Sequence, residues 1–136
     1  MSESQLEAAV LDLAGMTGWL RAHFRPALLP GGGWATHMAG DTGFPDLVLV
    51  RDGRLLFVEL KAERGKASPE QGEWLEALSG VHGIDVCLWR PADWLQGTVE
   101  ATLFGEAPAP GAGAWRGVGR RGAKERPVLV RRRVLG

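Results

Sequence analysis

Two apolar runs, Leu47-Val48-Leu49-Val50 and Leu55-Leu56-Phe57-Val58-Glu59-Leu60, flank the tetrapeptide Arg51-Asp52-Gly53-Arg54. An Asp-Gly pair between two such runs predicts a β-hairpin closed by a two-residue type I′ turn. That turn sets a register in which Val48 faces Phe57 and Asp46 faces Glu59. Side chains alternate between the faces of a sheet. Asp46, Val48, Val50, Leu55, Phe57, Glu59 and Lys61 therefore share one face. The other face is equally apolar, so the hairpin belongs inside a sheet covered by helices on both sides.

Helical and strand signals surround this hairpin. Ser4-Gln5-Leu6-Glu7 has the form of a capping box. Leu6, Val10, Leu13, Thr17 and Leu20 then follow at helical spacing, which predicts a first helix ending near 22–24. Phe24 to Leu29 reads as a short edge strand, because Pro26 does not suit a central one. Pro30 to Gly33 forms a turn, and Trp34 to Met38 reads as its returning strand. Ser68-Pro69-Glu70-Gln71 opens a second helix, with Ser68 as N-cap and Pro69 at the first helical position. Trp74, Leu75 and Leu78 form its buried face. Ile84 to Trp89 is a further strand, and a last helix runs from about Arg90 to Leu103. Trp74, Trp89 and Trp94 fall on core-like positions.

The 136 residues amount to a single domain with a tail. Residues 1–104 hold 8 Lys+Arg against 14 Asp+Glu, and residues 105–136 hold 8 against 2. A net charge of zero thus conceals an acidic body of −6 and a basic tail of +6. The tail is rich in Gly, Pro and Arg, with few apolar residues before Val128, and is expected to be partly disordered, with Trp115 exposed. The expected division is 1–104 for the folded domain and 105–136 for the tail. No apolar run approaches the roughly 18–20 residues of a membrane span. Cys87, the one cysteine, excludes an internal disulfide and a cysteine-built zinc site and suits a core strand. No secretory signal is visible, so a reducing cytoplasm is the expected compartment.

The predicted register carries the chemistry. Asp46 and Glu59 form a non-hydrogen-bonded pair, with Cα atoms about 4.5 Å apart. Like charges opposed across strands destabilise a sheet. A divalent cation between them reverses the sign of that interaction. Mg²⁺ suits such a site, since it keeps several waters and takes few protein carboxylates; the Leu60 carbonyl can supply another oxygen. The Lys61 ammonium on the same face can orient or help deprotonate a water, or stabilise charge on a phosphate. These are parts of a metal-assisted phosphodiester hydrolase. Taken singly, each residue also has a plainer reading, Asp46 as a solvated strand start and Glu59 with Lys61 as an ion-paired strand end.

Pro45-Asp46 followed by Glu59-Leu60-Lys61 resembles the PD-(D/E)XK nuclease superfamily. Gly43-Phe44-Pro45-Asp46, the short hairpin, Val58-Glu59-Leu60-Lys61-Ala62 and Ser68-Pro69-Glu70-Gln71 resemble its VRR-NUC branch, neighbour to Holliday-junction-resolvase-like nucleases of bacteria and phages. The resemblance runs from about Glu7 to Leu95. It implies an α/β, restriction-endonuclease-like αβββαβ core with a mixed central sheet flanked by helices. It implies Asp46 and Glu59 as metal ligands and Lys61 as the catalytic lysine. Gln71 matches the family's glutamine near the active site, and Glu7 the first-helix acid that approaches the metal in related resolvases. Both also suit a simpler role, capping their helices with Ser68 and Ser4. His37 and Asp41 precede the motif without an assignable role.

The expected activity is Mg²⁺-dependent DNA endonuclease cleavage, with Mn²⁺ able to substitute. A small body offers little surface for reading bases, which favours selection by DNA structure, as in branched DNA. Paired incisions require a homodimer. Arg64 and Lys66 beside the motif, and Arg131, Arg132 and Arg133 in the tail, are candidate phosphate contacts. The tail is also a candidate docking segment for a protein partner. The alternative is a nuclease-like fold that binds nucleic acid, or cuts it only with a partner.

Overall fold

The computed structural model describes residues 1–24, 27–28, 30–35, 39–105 and 115. Helix α1 (Glu3–Met16) starts earlier than Ser4 suggests. Ser2 is its N-cap and forms the capping box with Gln5, so Glu7 takes no part in the cap. The helix also ends earlier. Gly18 turns left-handed at φ 88°. The Gly18 N–H reaches Gly15 O, and the Trp19 N–H reaches Ala14 O at 2.9 Å. This paired closure is a Schellman motif, which only a residue tolerant of positive φ completes without strain. The chain then reverses into β1 (Leu20–His23), where helical periodicity predicts continued helix.

Among the described residues, the stretches expected as strands over 24–29 and 34–38 contribute the two-residue strands β2 (Ala27–Leu28) and β3 (Trp34–Ala35). They pair with each other in a separate ribbon. His37 lies outside the described residues. Next comes the hairpin of β4 (Leu47–Arg51) and β5 (Arg54–Leu60). Asp52 and Gly53 both take positive φ, 46° and 78°, as a type I′ turn requires. Val48 faces Phe57 and Arg51 faces Arg54, the predicted register. Helix α2 (Pro69–Ser79) crosses over to β6 (Asp85–Trp89), which lies parallel to β5. The expected final helix is two, α3 (Pro91–Leu95) and α4 (Thr98–Leu103), because the chain breaks at Gly97 with φ 85°.

The main sheet has the order β1-β4-β5-β6, antiparallel except for its last pair. With α1, the three antiparallel strands, α2 and β6, this is the restriction-endonuclease-like αβββαβ core. Its two faces carry two clusters. Leu6, Val10 and Ala14 of α1 and Val99 and Leu103 of α4 pack on Leu47, Leu49, Leu56, Val58 and Leu60. On the opposite face Leu75 of α2 packs on Val86 and Leu88, with Leu55 and Phe57 at the margin. Of the face predicted for α2, Leu75 is fully buried, while Leu78 is only partly so. Trp89 is buried, and Trp94 is partly buried against the first cluster. Cys87 is a buried core thiol, and burial pushes its pKa up.

Trp115 corrects the expected exposed tail residue. It is only 6% exposed, packs with Leu75, Ile84, Val86 and Leu88, and donates its backbone N–H to Val86 O at 3.2 Å. The rest of the tail beyond Gly105, including Arg131, Arg132 and Arg133, lies outside the described residues.

Candidate active site

The site forms where β4 begins and β5 ends. Extending the hairpin register two residues beyond Leu47↔Val58 sets Pro45 against Leu60. Proline has no N–H to give the ladder. The Leu60 N–H turns instead to the Asp46 carboxylate, which accepts it at 2.8 Å on Oδ2. The next residue, Lys61, donates its N–H the other way, to Trp89 O on β6. A strand residue presents its N–H and C=O on the same side. The Leu60 carbonyl therefore also faces Asp46, where the ladder supplies no donor for it.

Gly43 brings this strand start against α2. Its φ is 95°, and a Cβ there would sit 2.6 Å from the Glu70 carbonyl carbon. Phe44 then lies edge-on to three rings, those of Trp74 at 4.9 Å, Phe24 at 5.3 Å and Phe57 at 5.9 Å. These contacts brace the loop immediately before Pro45-Asp46. The sequence marks Gly43 and Phe44 only as part of the motif; their packing depends on partners distant in the chain.

Glu59 is 1% exposed. Its Oε2 lies 3.3 Å from Lys61 Nζ, but its Oε1 is buried with no hydrogen-bond partner. Burial raises its pKa most, the nearby Asp46 charge adds to the rise, and together they push it up to about 8. Burial also raises Asp46, against the lowering effect of the Leu60 N–H. A buried acceptor without a donor, beside a second carboxylate, is a costly arrangement for structure alone. It suits a hard divalent cation, which takes oxygen ligands and favours the charged carboxylates.

Lys61 donates to Gln71 Oε1 at 2.8 Å, so its ammonium is held between Glu59 and α2. Gln71 Oε1 also accepts from Ser68 N–H at 2.8 Å. Gln71 thus closes the capping box and fixes Lys61 with the same oxygen, so the two roles its position allows coexist.

Glu7 is placed differently. Its Oε2 lies 2.8 Å from His23 Nε2, a partner that no local pattern in the chain singles out. Among the described residues no three His, Cys, Asp or Glu side chains gather into a metal cluster, so Asp46 and Glu59 stand as a pair. Glu3, one helical turn before Glu7, adds its charge to those felt by both Asp46 and Glu59. On the connector after Lys61, Arg64 and Lys66 are both exposed. Asp41 is exposed, and its carbonyl accepts from Trp74 Nε1 at 3.3 Å.

Residues 32–92 match the model of the VRR-NUC domain. That span contains Asp46, Glu59, Lys61 and Gln71 and excludes α1 and Trp115. No curated protein and no solved structure shows a significant match.

Proposed function

The chain carries a VRR-NUC domain, a nuclease-type module, and on that premise we propose that it is a divalent-metal-dependent DNA endonuclease. The buried, unpartnered Glu59 Oε1 beside Asp46 carries the reading. Asp46, Glu59 and the Leu60 carbonyl would hold the ion, with Mg²⁺ the expected occupant and Mn²⁺ a substitute. When bound, such an ion polarises the phosphoryl oxygens and acidifies a water. Glu7 joins this set only if its carboxylate leaves His23.

The chain's own residues do the rest. Lys61, restrained by Glu59 and Gln71, presents a cation at the open end of β5. There it orients the attacking water and offsets charge developing on the phosphate. Gln71 positions Lys61. Arg64 and Lys66 lie on the loop that follows and contact the flanking phosphates. Selection of branched DNA and paired cutting by a homodimer complete the reading.

The test is cleavage of labelled duplex, single-stranded, flap and four-way-junction DNA in Mg²⁺, Mn²⁺ or EDTA, with Lys61→Ala alongside. Metal-dependent cutting that falls by about 10²–10⁴-fold in the variant is expected, the range for loss of a positioned catalytic group. Binding without cutting of any substrate would replace the nuclease with a nucleic-acid-binding module.

A further inference from the structure

The connector that leaves the site after β5 is tied at two points to the start of α3. Lys61 donates its N–H to Trp89 O at 3.0 Å, and there the parallel ladder of β5 and β6 ends. The two chains then part. On one side the Gly65 N–H bonds Ala62 O at 3.0 Å, which closes a β-turn with Glu63 and Arg64 at its tip. Two side chains bridge the gap, one from each chain. Arg90, the residue after Trp89, donates from Nη2 to Gly65 O at 2.8 Å. Glu63 returns the tie: its Oε1 accepts the Ala92 N–H at 3.0 Å. That amide lies in the first turn of α3, where the helix supplies no acceptor of its own.

The turn so held lies on Lys61. A Cβ added to Gly65 would stand 3.5 Å from Lys61 Cδ, so Gly65 closes on the middle of the lysine stem. The head of the same side chain donates to Gln71 Oε1 at 2.8 Å and lies 3.3 Å from Glu59 Oε2. Only 14% of the side chain is exposed. A lysine stem has many rotamers to lose when one geometry is imposed on it. Contacts at the ammonium fix its tip, and contact along the stem removes the alternative paths by which the tip could swing away. Arg90 is not spending its guanidinium on its own helix. The cap of α3 uses the Arg90 backbone N–H, which Asp93 Oδ2 accepts at 2.8 Å. The Arg90 side chain serves the turn.

We propose that Arg90 is a positioning residue for the active site: through Gly65 O it holds the Ala62–Gly65 turn against the Lys61 stem and keeps the ammonium aimed between Glu59 and Gln71. That the held lysine serves phosphodiester hydrolysis rests on the function proposed above; the holding itself does not. Glu63 is the weaker second tie of the same turn, since it sits at the exposed tip.

The experiment has two readouts on the full chain. The first is carbon-13 relaxation of the lysine side chains. The chain has three lysines, Lys61, Lys66 and Lys124, so Lys61→Arg assigns the Lys61 signals by their loss. In the wild type the Lys61 stem is expected to be ordered, and in Arg90→Ala its order parameter should fall into the flexible range. The second is the single-turnover rate on saturating labelled DNA in Mg²⁺. Arg90→Ala is expected to lower it by about tenfold or more, as misplacement of a catalytic group does, and Arg90→Lys, which keeps a donor for Gly65 O, to restore most of it. In a Lys61→Ala background Arg90→Ala should have no further effect, because the two act as a unit. Melting curves verify folding; if Arg90→Ala does not fold, Glu63→Ala, at an exposed position, carries both readouts. An unchanged Lys61 order parameter in the folded variant overturns the proposal, and so does an equal loss of rate with and without Lys61. A wild type that cuts no DNA sinks the nuclease reading, and the relaxation data then decide the clamp alone.

Discussion

Glu59 is placed against its own stability. A carboxylate 1% exposed, with one oxygen lacking a donor, favours the neutral form. Its folded pKa is pushed up to about 8 from 4.5. Below pH 4.5 folded and unfolded chains both hold the proton. Between the two values the folded chain holds a proton that the unfolded chain releases, so metal-free stability falls as pH rises through this window. Glu59→Gln removes this dependence. The variant should be more stable than the wild type at pH 8, on the order of 1–3 kcal/mol, and gain nothing at about pH 4, while cleavage is lost. Thermal unfolding in EDTA at the two pH values checks this. A variant less stable at the higher pH would show that Glu59 is a structural ion-pair partner of Lys61.

Two elements hold the site together, the loop before β4 and the start of α2. Gly43→Ala forces a side chain into left-handed backbone against the Glu70 carbonyl carbon. The strain should cost on the order of 1–3 kcal/mol, read by denaturant unfolding, and lower cleavage by moving Asp46. Gln71→Ala removes both an α2 cap partner and the restraint on Lys61. Its effect on cleavage should be about tenfold in wild type and absent in a Lys61→Ala background, because residues acting as a unit do not add. Independent effects in that double mutant would leave Gln71 as a cap alone. The hairpin, α2 and β6 are legible in the sequence because their signals are local: an Asp-Gly turn, a Ser-Pro cap and an apolar run. The end of α1 and the break at Gly97 are not. A glycine's positive φ is decided by what the chain must do next, and helical periodicity runs through it.

As a unit, the fold brings two carboxylates to one end of a mixed sheet and closes the rest of that sheet with two cores. A divalent ion that binds only the folded chain stabilises it by mass action. Mg²⁺ or Mn²⁺ should therefore raise the melting temperature of the wild type at about pH 8 and leave Asp46→Asn unchanged, as differential scanning calorimetry would show. An equal rise in both proteins would place the ion elsewhere. The hairpin register and the pairing of Asp46 with Glu59 at one strand end follow from residue order, because turn chemistry and the alternation of side chains are properties of the local chain. The residues that meet across long distances in sequence were decided by packing: Glu7 with His23, Phe44 among three aromatic rings, and Trp115 on β6. Their partners are chosen by which surfaces the folded sheet leaves open, and no local preference of the backbone encodes that choice.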